Sequence, residues 1–257
     1  MRERMIRDVH VLTADGSGSR VVLLPGLGAP WYLRPLLLEL EQRGRSAALL
    51  DLPGFGLPSR LRCAPAVQAI GARAARWCAA EPGPVVLFGH STGAQAALHA
   101  ARALQEAGRP PTALVLAGPT PAPGQRSIPR LLLRTPLALR RESLAELGVL
   151  RHYLRGQGGT WRLLRSGVRD RPEATRAGLA MPVVVTAGRA DTFAPPTWLA
   201  TLAGPGGRVV LLPGSHNNPF THPGAVADVI ESAGVGTVRL DQSQPVGARR
   251  WPGIVIP

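Results

Sequence analysis

Short apolar segments that alternate with helical segments are the feature that most restricts the fold of this chain. The apolar segments predict strands at Val9–Leu12, Val21–Leu24, Ala47–Leu50, Val85–Phe88, Ala113–Ala117, Val183–Thr186 and Val209–Leu212. Stretches between them, such as Trp31–Gln42 and Thr92–Ala107, carry apolar residues at helical spacing and end at Gly or Pro. Continuous apolar strands separated by helices are typical of a parallel sheet that is buried on both faces. The sequence therefore predicts an α/β fold with a doubly wound, mostly parallel sheet.

The alternation is interrupted over residues 120–181, which contain no strand-like run. This stretch contains helical pieces such as Ile128–Arg141 and Trp161–Val168. Because the α/β pattern resumes afterwards, we predict a helical lid inserted between two strands of one core, which comprises residues 1–119 and 182–234. Residues 235–257 are rich in Gln, Gly, Pro and Arg. We expect an irregular tail there and assign it no function.

The pentapeptide Gly89-His90-Ser91-Thr92-Gly93 has the pattern G-x-S-x-G. It follows the fourth predicted strand and opens a predicted helix, which is the context in which this pattern positions a nucleophilic serine. The serine then lies in a sharp turn, with its hydroxyl above the sheet and near a helix N-terminus that favours negative charge. We predict that Ser91 is a catalytic nucleophile, and we interpret His90 as a support for the turn or a wall of the pocket.

A serine hydroxyl needs a base, and the base needs a carboxylate that orients it and stabilises its cation. In sites of this type the acid and then the histidine follow the serine in sequence, on loops at the ends of later strands. Asp191 follows the sixth predicted strand and His216 follows the seventh, whereas the loop after the fifth contains no carboxylate. We predict Asp191 as the orienting acid and His216 as the base, with His222 as the alternative base.

The reaction also needs fixed N–H donors for the negative charge on the carbonyl oxygen, each contributing about 3 to 4 kcal/mol. We expect one donor to be the backbone N–H of Thr92, the residue after the nucleophile. The loop Pro25-Gly26-Leu27-Gly28 follows the second predicted strand, and its Leu27 N–H is the expected second donor. The glycines of this loop do not form the G-x-G-x-x-G pattern of dinucleotide sites.

Five segments carry a resemblance to a known family: LLPGLGAPWYLRPLLLEL, DLPGFGLPSR, FGHSTGAQAALHAA, AGRADTFAPP and LLPGSHNNP. Together they resemble the α/β-hydrolase superfamily, in its lid-bearing branch of esterases, haloperoxidases and epoxide hydrolases. The resemblance implies that the protein uses no cofactor and binds a small acyl substrate between lid and sheet. A serine nucleophile, in place of the aspartate of epoxide hydrolases, implies cleavage of a carboxylester, thioester or lactone, or of a carbon–carbon bond. The chain departs from the family at Pro25-Gly26, where His-Gly is common.

The net charge of +14 comes from a basic set that consists entirely of arginine. A basic balance is compatible with nucleic-acid binding, but the chain carries no nucleic-acid-binding signature, so we expect no nucleic acid partner. The predicted lid contains twelve arginines and four acidic residues. The basic lid has two interpretations, which both stay open: it binds an anionic or carrier-bound substrate, or it is a solvated basic surface. A non-catalytic ligand-binding protein of the same fold is a further alternative.

Residues 1–20 lack the apolar core of a secretory signal, and no apolar run reaches the roughly 18 to 20 residues of a membrane-spanning helix. Cys63 and Cys78 lie in no metal-binding pattern, and a pair of cysteines makes no disulfide framework in a domain of this size. We therefore expect a cytoplasmic protein without a transmembrane segment or a metal site. The sequence makes no prediction of the oligomeric state.

Overall fold

The computed structural model describes residues 1–56, 61–131, 157–234 and 255–256. The strands of these residues are β1 (Arg2–Ile6), β2 (Val9–Ala14), β3 (Ser17–Leu24), β4 (Arg45–Asp51), β5 (Val85–His90), β6 (Ala113–Ala117), β7 (Val183–Gly188), β8 (Arg208–Leu212) and β9 (Val255–Ile256). They form one sheet in the order β1-β2-β4-β3-β5-β6-β7-β8-β9. The strands from β4 to β8 in this order are parallel, and β1, β2 and β9 add antiparallel edges. The predicted doubly wound, mostly parallel sheet is confirmed.

Helices cover both faces of this sheet. They are α1 (Arg34–Gln42), α2 (Val67–Ala79), α3 (Thr92–Glu106), α4 (Gln157–Arg169), α5 (Pro172–Arg176), α6 (Pro196–Ala203), α7 (Asn218–Thr221) and α8 (Pro223–Gly234), with short 3-10 helices at Gly26–Gly28, Pro30–Leu33 and Pro123–Gln125. Along β3, Val22 and Leu24 belong to the core beneath α2, α3 and α6, whereas Val21 and Leu23 belong to the core beneath α1 and α8. This alternation explains why the strand sequence is continuously apolar.

Three elements differ from the sequence-based expectation. The strand β1 was not predicted, because its residues are largely exposed and charged and carry no apolar signal. The predicted helix over Trp31–Gln42 is divided, since a 3-10 helix occupies Pro30–Leu33 before α1 begins. Within the tail, Val255–Ile256 pairs with β8 as an edge strand, and the rest of residues 235–257 lies outside the described ranges.

The segment between β6 and β7 packs onto the core near the start of α3. A Cβ added at Gly159 of α4 would lie 2.7 Å from the Phe55 ring, and one added at Gly167 would lie 2.8 Å from Gln95 Oε1 of α3. Most of the predicted helical piece Ile128–Arg141 lies outside the described residues, so the lid assignment stays a prediction. Among the described residues, no helix is both long enough and apolar enough to cross a membrane.

Candidate active site

Ser91 occupies a sharp turn between β5 and α3. Its backbone has φ 55° and ψ −122°, a region that side chains with a Cβ rarely adopt and that costs about 1 to 3 kcal/mol. The turn brings strand and helix so close that a Cβ on Gly89 would lie 2.3 Å from the Gly93 carbonyl oxygen. A Cβ on Gly93 would lie equally close to the Leu24 carbonyl oxygen. The two flanking glycines are therefore a steric requirement of the turn.

The structure brings the three predicted catalytic side chains together. His216 Nε2 lies 3.2 Å from Ser91 Oγ, and His216 Nδ1 lies 2.9 Å from Asp191 Oδ2. Asp191 follows β7 and His216 follows β8, so both come from loops at the carboxyl edge of the sheet, where β5 also ends. The order of contacts allows the imidazole to accept the serine proton while the carboxylate holds its other nitrogen.

The Asp191 carboxylate is fully buried, and burial alone raises its pKa. The nearby His216 and the hydrogen bond that it makes act in the opposite direction, as does the Phe193 N–H, which donates to Oδ1 at 2.8 Å. The net result is a pKa below the ordinary value of an aspartate. Asp191 is therefore ionised at neutral pH although water does not reach it.

The loop after β3 passes directly against the nucleophile. A Cβ added at Gly26 would lie 2.9 Å from Ser91 Cβ. Leu27 has a left-handed backbone, with φ 48° and ψ 24°, and its N–H donates to Thr92 Oγ1 at 2.7 Å. The expected second oxyanion donor is therefore beside the nucleophile but already has an acceptor, which the sequence did not indicate. Thr92 is the first residue of α3, so its own N–H has no acceptor within that helix.

Two residues that the sequence analysis did not assign also border the nucleophile and the imidazole. Thr120 Oγ1, in the loop after β6, lies 3.1 Å from Ser91 Oγ. The Phe193 ring is edge-on to the His216 ring, with 5.1 Å between centroids. A threonine after a strand and a phenylalanine before a Pro-rich turn carry no distinctive sequence signal. Their position depends on how the loops meet at the edge of the sheet.

The other two histidines considered from the sequence have different neighbours. His90 Nε2 lies 2.8 Å from the His216 carbonyl oxygen, and its Nδ1 lies 2.6 Å from Tyr32 Oη. His222 Nδ1 lies 2.9 Å from the hydroxyl of the adjacent Thr221. Within the described ranges, no group of three or more His, Cys, Asp or Glu side chains could hold a metal ion.

The alpha/beta hydrolase family model matches residues 21–229. This covers most of the sequence, and the chain belongs to that family of hydrolases. A comparison with curated proteins gives no match.

Solved structures of three hydrolases are similar in fold. A deformylase from Pseudomonas putida S16 is 18% identical with a TM-score of 0.68, over 89% of this chain and 99% of that one. An enol-lactonase from Burkholderia xenovorans LB400 is 16% identical with a TM-score of 0.66, over 90% and 98%. A thermophilic esterase from Thermogutta terrifontis is 21% identical with a TM-score of 0.62, over 87% and 92%. At these identities the similarity defines the fold and leaves the substrate open.

Proposed function

We propose that this protein is a serine hydrolase that cleaves an ester-like acyl bond through an acyl-enzyme on Ser91. The bond is that of a carboxylester, a thioester or a lactone. The observation that carries the proposal is the position of the His216 imidazole, 3.2 Å from Ser91 Oγ on one side and 2.9 Å from Asp191 on the other. Membership of a hydrolase family supports it.

In the first half-reaction Ser91 Oγ attacks the substrate carbonyl carbon while His216 Nε2 accepts the serine proton. The resulting imidazolium lies beside the ionised Asp191, which stabilises it. Collapse of the tetrahedral intermediate breaks the bond to the leaving group, and His216 returns the proton to that group. In the second half-reaction water gives its proton to His216 and attacks the acyl carbon, and the same steps release the acid and restore the serine.

The negative charge of each intermediate develops near the N-terminus of α3, where the helix dipole is favourable. We assign Thr92 N–H and Leu27 N–H as its donors. Because Leu27 N–H donates to Thr92 Oγ1 in the resting site, the substrate oxygen has to share or replace that hydroxyl. The Thr92 side chain thus holds the amide of the left-handed Leu27 in place until substrate arrives.

The substrate is a small acyl compound, and the arginines of the segment between β6 and β7 favour an anionic or carrier-bound one. The test compares an anionic and a neutral ester of equal chain length at increasing salt. A preference for the anionic ester that declines with salt supports this assignment, whereas equal salt dependence contradicts it. The cytoplasmic location remains a prediction from the sequence.

The experiment that tests the proposed function is a panel of p-nitrophenyl esters, lactones and acyl thioesters, assayed with the wild-type protein and with Ser91→Ala. We expect turnover of at least one ester-like class by the wild type and none by the variant. Circular dichroism of the variant checks that its fold is retained. If the wild type cleaves none of these compounds and does not react with a fluorophosphonate, the protein is instead a non-catalytic member of its family. A β-diketone added to the panel tests the alternative reaction, and cleavage of that compound alone would assign carbon–carbon bond hydrolysis.

A further inference from the structure

The side chain of Tyr32 connects two parts of the site that the proposed reaction does not itself link. Tyr32 is in the 3-10 helix before α1, and its side chain is buried. We call the loop Pro25-Gly26-Leu27-Gly28 after β3 the oxyanion loop, and its Gly26 N–H donates to Tyr32 Oη at 2.6 Å. On its other side, Tyr32 Oη lies 2.6 Å from His90 Nδ1, in the residue before the nucleophile.

His90 continues this chain of hydrogen bonds to the base. Its Nε2 lies 2.8 Å from the backbone carbonyl oxygen of His216. A carbonyl oxygen only accepts hydrogen bonds, so His90 Nε2 carries a proton and donates a hydrogen bond to it. Burial is the main cause, and the nearby His216 a smaller one, of a pKa of about 3 for His90. The ring is therefore neutral, and its Nδ1 is a hydrogen-bond acceptor. The Tyr32 hydroxyl therefore donates a hydrogen bond to His90 Nδ1, and each of these three hydrogen bonds has a defined direction.

We propose that Tyr32 and His90 form a positioning pair that fixes the oxyanion loop and the base loop, which follows β8 and carries His216, relative to the nucleophile. The pair contacts the oxyanion loop through Gly26 and the base loop through the backbone of His216. Its hydrogen bonds act on the reaction through the groups that they hold, which makes Tyr32 and His90 positioning residues. This inference rests on the proposed function of Ser91 and His216.

The neutral state of the His90 ring also affects proton transfer to His216. The His90 and His216 rings are 4.9 Å apart between centroids. When His216 accepts the serine proton it becomes cationic, and a second cation at this distance in a buried site would oppose that step. A ring that receives a hydrogen bond at Nδ1 and donates one at Nε2 stays neutral, so the pair leaves His216 as the site that takes the proton.

The test uses Tyr32→Phe, which removes only the hydroxyl, and His90→Leu, which removes both ring nitrogens. The matched control is Thr13→Val, which removes a buried hydroxyl elsewhere in the protein, on β2, where it donates to the Arg2 carbonyl oxygen at 3.3 Å. For each variant, kcat and KM for p-nitrophenyl acetate, the rate of Ser91 labelling by a fluorophosphonate and the melting temperature are measured. We expect Tyr32→Phe to lower kcat and the labelling rate about tenfold with KM within twofold of the wild type. Thr13→Val is expected to lower the melting temperature about as much as Tyr32→Phe does, but to leave kcat unchanged.

The double variant distinguishes a connected pair from two separate structural contacts. If the pair acts as a unit, Tyr32→Phe combined with His90→Leu lowers kcat no further than His90→Leu alone. The proposal would be overturned if the double variant lowered kcat by the product of the two single effects, or if Tyr32→Phe had the kcat of the wild type. A wild-type protein with neither turnover nor labelling would refute the proposed function instead.

A second measurement does not depend on activity. Nitrogen-edited NMR of the histidine rings reports which nitrogen of His90 carries the proton. We expect Nε2 to be protonated and Nδ1 unprotonated throughout pH 5 to 9, and the opposite tautomer or a titration in this range would contradict the assigned directions.

Discussion

The Asp191 carboxylate and the His216 imidazole are 25 residues apart in sequence, and Asp191 Oδ2 lies 2.9 Å from His216 Nδ1. The carboxylate is itself held by the Phe193 and Ala194 N–H groups, which donate to its other oxygen. Because Asp191 is ionised, Nδ1 is the protonated nitrogen of a neutral His216 ring, and the Nε2 lone pair is directed at Ser91. A fixed acid thus determines which nitrogen of the ring can act as the base.

The choice of His216 over His222 is tested by replacing each with alanine. We expect His216→Ala to lower kcat by on the order of 10⁴ to 10⁶, close to the loss in Ser91→Ala, because the residues act as a unit. His222 bonds to the Thr221 hydroxyl, so His222→Ala should retain kcat within a few fold. Steady-state kinetics on one p-nitrophenyl ester measures both, and a larger loss in His222→Ala would show that the base is assigned wrongly.

The lowered pKa of Asp191 predicts a specific dependence of stability on pH. An unfolded aspartate titrates near pH 3.9, so the stability gained from the ionised carboxylate is present above about that pH. It is lost as pH falls through the lower pKa of the folded state. Between about pH 5 and pH 2 the wild type should therefore lose more unfolding free energy than Asp191→Asn.

Urea unfolding at a series of pH values across this window measures that difference. Asp228→Asn is a suitable control, because this carboxylate is partly exposed and binds Arg43 away from the site. Equal slopes for the wild type and Asp191→Asn would contradict the assigned direction of the pKa shift.

The backbone strain at Ser91 predicts that the nucleophile reduces the stability of the protein. Glycine adopts φ 55° and ψ −122° without the Cβ conflict, although it adds entropy to the unfolded chain. We expect Ser91→Gly to be about 1 kcal/mol more stable than Ser91→Ala, a rise in melting temperature of about 2 to 4 °C. Differential scanning calorimetry of the two inactive variants makes the comparison, and a lower melting temperature for Ser91→Gly would argue against strain at this turn.

The Thr92 hydroxyl has a role that can be separated from its backbone N–H. Thr92→Val keeps the shape and the N–H but removes the acceptor of Leu27 N–H, leaving a left-handed residue without its partner. We expect kcat to fall about fivefold to tenfold, equivalent to about 1 to 1.4 kcal/mol, and Thr92→Ser to retain it. An undiminished kcat in Thr92→Val would contradict this role and would mean that the hydroxyl only competes with the substrate oxygen for the Leu27 N–H.

The fold was predictable from the sequence because parallel strands buried on both faces leave unbroken apolar runs, as in Ala113–Ala117. The strand β1 escaped prediction because an exposed edge strand needs no apolar residues. The positions of Ser91, Asp191 and His216 followed from strand ends, since the carboxyl ends of parallel strands share one edge. Their catalytic roles remain predictions.

The contacts within the site were less accessible to sequence reasoning. The Thr120 hydroxyl, the Tyr32 hydroxyl and the engaged Leu27 N–H each depend on how two loops from distant parts of the chain approach each other. No residue type or spacing in the sequence predicts how closely these loops approach each other. His90 was interpreted as a support or a wall, but its partners became identifiable only from the packing of Tyr32 and the base loop.

The most direct test of the account is to trap the acyl-enzyme. The wild-type protein is mixed rapidly with an excess of a p-nitrophenyl ester that it hydrolyses and is quenched in acid, and its peptides are analysed by mass spectrometry. We predict that one acyl group is attached to the peptide containing Ser91, and that Ser91→Ala shows neither the adduct nor turnover. Hydrolysis that continues in Ser91→Ala, or an acyl group attached to a different residue, would contradict the account.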